Sequence, residues 1–437
     1  MRRYRLNLPD VVAALVLVLI ALLTFLAVRR TLRGLPDFEF FYHAGRYVLR
    51  HRALIAPEQV GHLPWYLPFV PRFFDLFAWM PHGVAGVVWA LLNAGMLVVV
   101  LRWCGRHFSD APPEHGLSSQ FVPFILTFPY WVYQFQLSQL TTLVLFLCVG
   151  SLLLWESNRR VLAGCALGLA ILVKSTPVVL LGWFLLKRQW RTSAAVVATI
   201  IIVGPVSDVA TFGPGKTLGY YVDWYDSAVV GGSHRHFMVT KTEVDHRNQG
   251  SGVTLARLLH PVDGRRHLWN DPRSTYWGPS IFVNIANVPL STVARLHMVL
   301  LAGVGLLLLY ALRRPAAALN RSQLRMEWAL AMLAMVWFMP VLRLYHYAWV
   351  YPLLAMLCNA RLCREAGVSV RLAWTVALLW VLPMPMLVSR ELRCLGPVMW
   401  TMLLMGLLIG AALAASERRS AGRKTAENPA KPNASYA

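Results

Sequence analysis

The sequence predicts an all-α membrane protein: a polytopic bundle of about twelve membrane segments with two long loops on its outer face. Three observations carry this. Of 437 residues, 57% are hydrophobic and 14% charged. Mean hydropathy is +0.51. Apolar runs of about 17 to 25 residues recur along the chain, bounded by Arg, Lys, Pro and Gly.

Charge and cysteine usage narrow the class further. The net charge of +22 sits in short loops between apolar runs, not along one soluble face. That pattern fits membrane topology and anionic membrane lipids, and no nucleic acid partner is expected. Cys104, Cys148, Cys165, Cys358, Cys363 and Cys394 form no CxxC pair and mostly fall within or beside apolar runs. They read as small apolar filler, not as a disulfide framework or zinc site.

The first apolar run, Val11 to Val28, is a full span with no small-residue cleavage site after it, so it is expected to stay in place as helix 1. Spans follow near 83–103, 119–136 and 139–155. The run from Val161 to Leu186 is different, because Lys174 and Pro177 stand at its middle and Arg159-Arg160 and Lys187-Arg188 flank it. A single span would bury Lys174 near mid-membrane. Two short helices turning at Lys174-Ser175-Thr176-Pro177 instead return both basic pairs to the cytoplasm, with Pro177 opening the second helix where a missing N–H costs least. Spans near 193–210, 291–312, 327–341, 345–360, 371–388 and 397–415 complete the bundle, with both termini inside. Lys and Arg in the short loops follow this orientation, except for Arg29, Arg30 and Arg33 after helix 1. The membrane domain takes 1–415. Residues 416–437, with Arg418, Arg419, Arg423 and Lys424, are expected to be a disordered basic cytoplasmic tail. No internal repeat or inverted half-to-half symmetry is evident.

The two outer loops, 29–82 and 211–290, hold most of the candidate chemistry. The first carries Asp37 and Glu39 among Phe38, Phe40, Phe41 and Tyr42. Aromatic neighbours desolvate a carboxylate and raise its basicity, which suits a general base; Asp37 could equally cap a helix opening at Phe38. In an extended segment the two carboxylates share a side, and in a helix they diverge. Residues 65–81, aromatic and punctuated by proline, read as a short helix lying in the interface. The second loop is long enough for a lid and contains Tyr220, Trp224, His234, His236, His246 and the run Arg247-Asn248-Gln249-Gly250-Ser251. His-x-His without a carboxylate pair is a weak metal signal, and no metal is expected.

Basic groups could receive an anion. Lys174 is an ionisable group at membrane depth, a functional candidate or a capped hairpin turn. Arg343 and His346 lie three apart and share a face if helical; interfacial snorkelling is the plainer account of Arg343.

Several stretches in order resemble one family. They are Asp37-Phe38-(x3)-Tyr42 with Ala44-Gly45; Tyr66-x-Pro68, then Pro81 and Trp89-Ala90-Leu91-Leu92-Asn93; Gln139; Ala163-Gly164-(x3)-Gly168-Leu169-Ala170-(x3)-Lys174-(x2)-Pro177; Asn248-Gln249-x-Ser251; and Tyr345-His346-Tyr347. The chain resembles the polyprenol-phosphate-mannose-dependent α-mannosyltransferases, glycosyltransferase family 87, of GT-C type. It departs from their pattern where Leu67 interrupts Tyr-Pro-Pro, where Ser138 replaces the Gly before Gln139, and where a single His stands at 345–346.

The resemblance implies a GT-C-like bundle in the plasma (inner) membrane, with the site facing the periplasm or outside. It implies inverting transfer of a hexose, mannose in this family, from a polyprenyl-phosphate donor lipid to a hydroxyl of a glycolipid or glycan acceptor, without a cofactor. Asp37 would be the base, with Glu39 second, and His346 would join the catalytic set. Arg343, Lys174, Tyr42, Gln139, Arg247, Asn248 and Gln249 would contact substrate, the cations on phosphate and the amides on sugar. The alternative from another class is a multi-pass transporter or lipid flippase with charged residues lining a pathway.

Overall fold

The computed structural model describes residues 7–34, 37–54, 66–110, 112–226, 244–265 and 279–427. These are helical, with no strand among them. The first half runs α1 (Leu8–Thr31), α2 (Asp37–His51), α3 (Phe69–Ala78), α4 (His82–His107), α5 (Phe121–Leu137), α6 (Thr141–Glu156), α7 (Arg160–Val173), α8 (Val178–Leu186), α9 (Trp190–Ile201), α10 (Ser207–Phe212) and α11 (Pro214–Trp224). The second half runs α12 (Ser251–Leu259), α13 (Leu290–Leu312), α14 (Arg321–Trp337), α15 (Tyr351–Leu357), α16 (Ala360–Glu365), α17 (Val370–Val381), α18 (Arg390–Cys394) and α19 (Pro397–Glu427).

Among the described residues six helices are long and apolar enough to cross a membrane: Leu8–Thr31, His82–His107, Trp190–Phe212, Leu290–Leu312, Val370–Leu387 and Pro397–Ser416. The expected count of about twelve is not met on these grounds, because several expected spans are shorter. The helix at 119–136 starts at Phe121 and stops at Ser138, whose φ of 51° breaks the helical path. The span expected at 345–360 is a 3-10 turn over Leu344–Val350 followed by seven α-helical residues. The last helix runs on to Glu427, past the end expected at 415.

Both expected loops contain helices among their described residues. Residues 29–82 contain α2 and α3, which lie against each other. A Cβ at Gly45 would come within 2.5 Å of the Phe74 backbone, so the Ala44-Gly45 pair sets how closely the two pack. Residues 211–290 contain α11 and α12, and His234 and His236 fall outside the described residues.

The core is centred on α14, in which every residue from Arg325 to Trp337 is buried, as expected for a helix surrounded by others. The run at 160–186 folds as the two short helices its sequence predicts. It turns at Lys174–Pro177, and Gln189 accepts hydrogen bonds from both Arg160 and Trp155, so the hairpin leaves at the end where it entered. Small residues let it pack: a Cβ on Gly164 would lie 2.5 Å from Ala195 Cβ, and one on Gly168 2.7 Å from Thr199 Cβ. Close backbone approach through small residues is how membrane helices gain contact. At the same end Arg325 pairs with Glu156 at 2.7 Å and reaches the His107 carbonyl. Lys187 pairs with Glu327 and donates to the Leu312 and Arg314 carbonyls at 2.7 Å. The charges that the sequence assigns to one side of the membrane therefore converge at one end of the bundle.

Candidate active site

Residues far apart in sequence close one cavity of about 660 Å³. It is built from the α1–α2 junction, the C-terminal end of α5 with Gln139, the α7–α8 turn, and residues 339–346, with Arg247 and Arg393 added from two further segments.

Asp37 enters it as the first residue of α2. A helix rotates successive side chains by about 100°, so Glu39 points elsewhere. Of the two arrangements open in the sequence, the divergent one is realised: the Glu39 side chain is 41% exposed and faces His43 at 3.7 Å, whereas Asp37 Oδ2 accepts a hydrogen bond from Gln139 Nε2. Tyr42 does not line the cavity; its hydroxyl donates to the Met80 carbonyl at 2.8 Å and fixes the α2 region onto the chain entering α4. Tyr66 does line it, and burial together with the Asp37 carboxylate pushes its phenol well above the ordinary range. It stays protonated, as a donor beside that carboxylate.

Gln139 is positioned by the αL turn at Ser138 and by Gln134, whose side-chain amide donates to the Gln139 carbonyl at 2.6 Å. Gln139 is buried, and its Oε1 has no hydrogen-bond partner among the described residues. One end of the amide therefore holds the carboxylate, while the other is an unspent acceptor at the cavity wall.

The opposite wall is cationic. Lys174 leaves α7 in extended geometry, and its amine meets His346 Nε2, 5.7 Å from the Tyr345 ring centre and 5.6 Å from that of Trp349. The His346 ring is buried, and its Nδ1 accepts from the Arg343 backbone N–H at 3.0 Å. That bond leaves the hydrogen of a neutral imidazole on Nε2, so the Lys174 nitrogen that it meets accepts it as a free amine. Arg343 and His346 thus meet through this backbone bond and not through one helical face. Arg343 Nη1 and Arg247 Nε both reach Oδ1 of Asp245, at 3.3 and 3.2 Å, and the Asp245 carboxylate is fully buried. His246 beside it is pushed down to about 4 by burial and then by the Arg393 guanidinium, so it is neutral near pH 7.

Asn248 and Gln249 are fully buried and do not line the cavity. Asn248 Oδ1 accepts from the Leu342 and Gly250 N–H groups, each at 3.0 Å. Gln249 Nε2 donates to the His246 and Arg393 carbonyls at 2.8 and 2.9 Å. These bonds pin the 244–265 segment to the 339–346 segment and to α18, and Gln249 Oε1 is left without a hydrogen-bond partner among the described residues. Sequence does not single out Arg30, Arg393 and Asp245 as site residues. Arg30 stands out only as an exception to the charge pattern, and Arg393 and Asp245 have no distinguishing spacing.

The result is one carboxylate, Asp37, among the described lining residues, sharing the cavity with the basic side chains of Arg30, Lys174, Arg247, Arg343 and Arg393 and with the aromatic rings of Phe40, Phe41, Tyr66, Tyr133 and Tyr345. Such a chamber can hold an anion and remove a proton from a neighbouring hydroxyl. Fold and cavity together define a polytopic helical membrane protein with one cavity rich in basic side chains. Residues 65–269, a little under half of the chain, match the sequence model of glycosyltransferase family 87, the family that the motifs resemble. The match indicates a membrane glycosyltransferase, and it does not favour the transporter or flippase reading. It covers Gln139, Lys174, Asp245 and Arg247, and leaves Asp37, Arg343, His346 and Arg393 outside. No curated protein and no solved structure matches the chain.

Proposed function

We propose that the protein transfers a hexose, mannose by the family resemblance, from a polyprenyl-phosphate donor to a hydroxyl of a glycolipid or envelope glycan at the outer face of the plasma membrane. The observation that carries this is the single carboxylate of Asp37 facing a wall of cations within one cavity. In this reading Asp37 takes the proton of the acceptor hydroxyl as its oxygen attacks the anomeric carbon. The bond from that carbon to the phosphate oxygen breaks, and configuration inverts. Arg343, Arg247 and Arg393 receive the charge left on the departing polyprenyl phosphate, and His346 orients the Lys174 amine beside them. Gln139 holds Asp37 and offers Oε1 to a sugar hydroxyl. The reaction needs no cofactor. About twelve segments, the shorter helices included, would then lie in the bilayer, with the cavity end outward.

The test is to incubate the purified protein with radiolabelled polyprenyl-phosphate mannose and an envelope glycolipid extract, then identify the labelled product. Wild type is expected to label a glycolipid. Asp37→Asn, folded and inserted, is expected to lose about 10²- to 10⁴-fold in rate. Transfer at the wild-type rate by that variant would remove Asp37 from the role of base, and absence of any labelled product with wild type would overturn the reading.

A further inference from the structure

Arg29, Arg30 and Arg33 contradict the distribution of Lys and Arg seen in the other short connections. The structure gives them a shared location: with Leu26 and Gln136 they line a second cavity of about 300 Å³. Two of its residues, Arg30 and Gln136, also line the large cavity, and Arg30 Nη1 donates to Gln136 Oε1 at 3.3 Å. This pair is a wall common to both. Among the described residues no ion pair engages Arg29, Arg30 or Arg33, and the nearby Glu39 faces His43.

The approach to this notch is apolar. Leu15, Val18, Leu22 and Phe25 are exposed along α1, and their spacing of three, four and three residues puts them in one stripe. Four residues further on, the stripe reaches Arg29. From Leu15 to Arg29 it measures about 21 Å. A hydrocarbon track that ends on guanidinium groups is complementary to a long-chain lipid with an anionic head at its end.

We infer that the notch docks the phosphate head of a polyprenyl phosphate, its chain lying on the α1 stripe, and that Arg30 and Gln136 pass the phosphate between notch and cavity. A phosphate monoester fits better than the diester of a bulk phospholipid: it carries up to two charges for three guanidiniums, and it is the form released behind the shared wall. Its identity as the spent carrier rests on the transfer reading above; the lipid-phosphate site does not.

The experiment places the full-length protein in neutral phosphatidylcholine nanodiscs and titrates a fluorescent long-chain polyprenyl phosphate, with phosphatidylglycerol and inorganic phosphate as competitors. Arg29→Gln/Arg33→Gln should weaken polyprenyl phosphate binding about tenfold, and Arg29→Lys/Arg33→Lys should retain most of it. Unchanged binding by the Gln pair overturns the site. Equal loss in both pairs overturns the role assigned to charge. Equal competition by phosphatidylglycerol, or by inorganic phosphate, overturns the assignment to the carrier. If wild type shows no sugar transfer yet the Gln pair still loses binding, the transfer reading falls and the lipid-phosphate site stands. If wild type transfers sugar and the Gln pair binds as wild type does, the site falls and the transfer reading stands.

Discussion

Asp245 holds two guanidiniums on one buried carboxylate. Without it Arg247 and Arg343 would repel each other and turn from the cavity. Asp245→Asn is expected to raise the donor KM about tenfold while kcat falls less, with Asp245→Glu intermediate; steady-state kinetics with varied donor checks this. A different residue-level consequence follows at Ser138, whose φ of 51° lies in the left-handed region. A side chain there costs about 1–2 kcal/mol that glycine avoids. Ser138→Gly is therefore expected to raise thermal stability in detergent by about 1 kcal/mol after the loss of chain stiffness is deducted, with the Gln139 contact to Asp37 retained. Sequence alone separates Asp37 from the other acidic residues by its aromatic setting and by the family motif. It is blind to Asp245 and Arg393, because Asp245 acts on the cavity through Arg247 and Arg343 and Arg393 joins it from a distant segment. Nor does it reveal the partners of Asn248 and Gln249 at Leu342 and Arg393, which lie about 90 and 140 residues away.

At the scale of elements, the hairpin of α7 and α8 is the part most legible from sequence. Flanking basic pairs, a central lysine and a proline cannot all be satisfied by one straight span, and the turn at Lys174–Pro177 is the structure that satisfies them. Its glycines act through packing. Gly164→Leu is expected to cost about 1–3 kcal/mol by overpacking α7 against α9, whereas Gly182→Ala, with open space around the new methyl group, should be neutral or stabilising through helix propensity. Thermal melts of the two variants in one detergent compare them directly. Helix ends are harder to read. Pro397–Glu427 runs past the end expected at 415, because the Ala, Glu, Arg and Lys that follow are good helix formers, which hydropathy does not register.

For the whole molecule, the meeting of Arg160 with Gln189 fixes both ends of the hairpin at one end of the bundle. In a background without native cysteines, Ser157→Cys and Arg191→Cys are expected to react with an impermeant maleimide from the same side of sealed vesicles. Labelling from opposite sides would make the segment a crossing. The predicted class, all-α and membrane-bound, is legible because composition alone demands it: a chain this apolar has to satisfy its backbone within helices. The number of crossings is not, since half-length helices such as α7 and α8 and the irregular stretch at 339–350 are sheltered by neighbours, and periodicity does not reveal neighbours.

The imbalance of charge in the cavity also bears on turnover. Five basic side chains share the cavity with Asp37, two of them held by the buried Asp245, and the basic excess that remains makes an electrostatic well that favours an anion. In the proposed transfer, donor entry would then be an exchange of one anion for another, and the carrier phosphate would leave by the same kind of swap. Such a cycle would be governed as much by how firmly the well grips its product as by how fast the sugar moves.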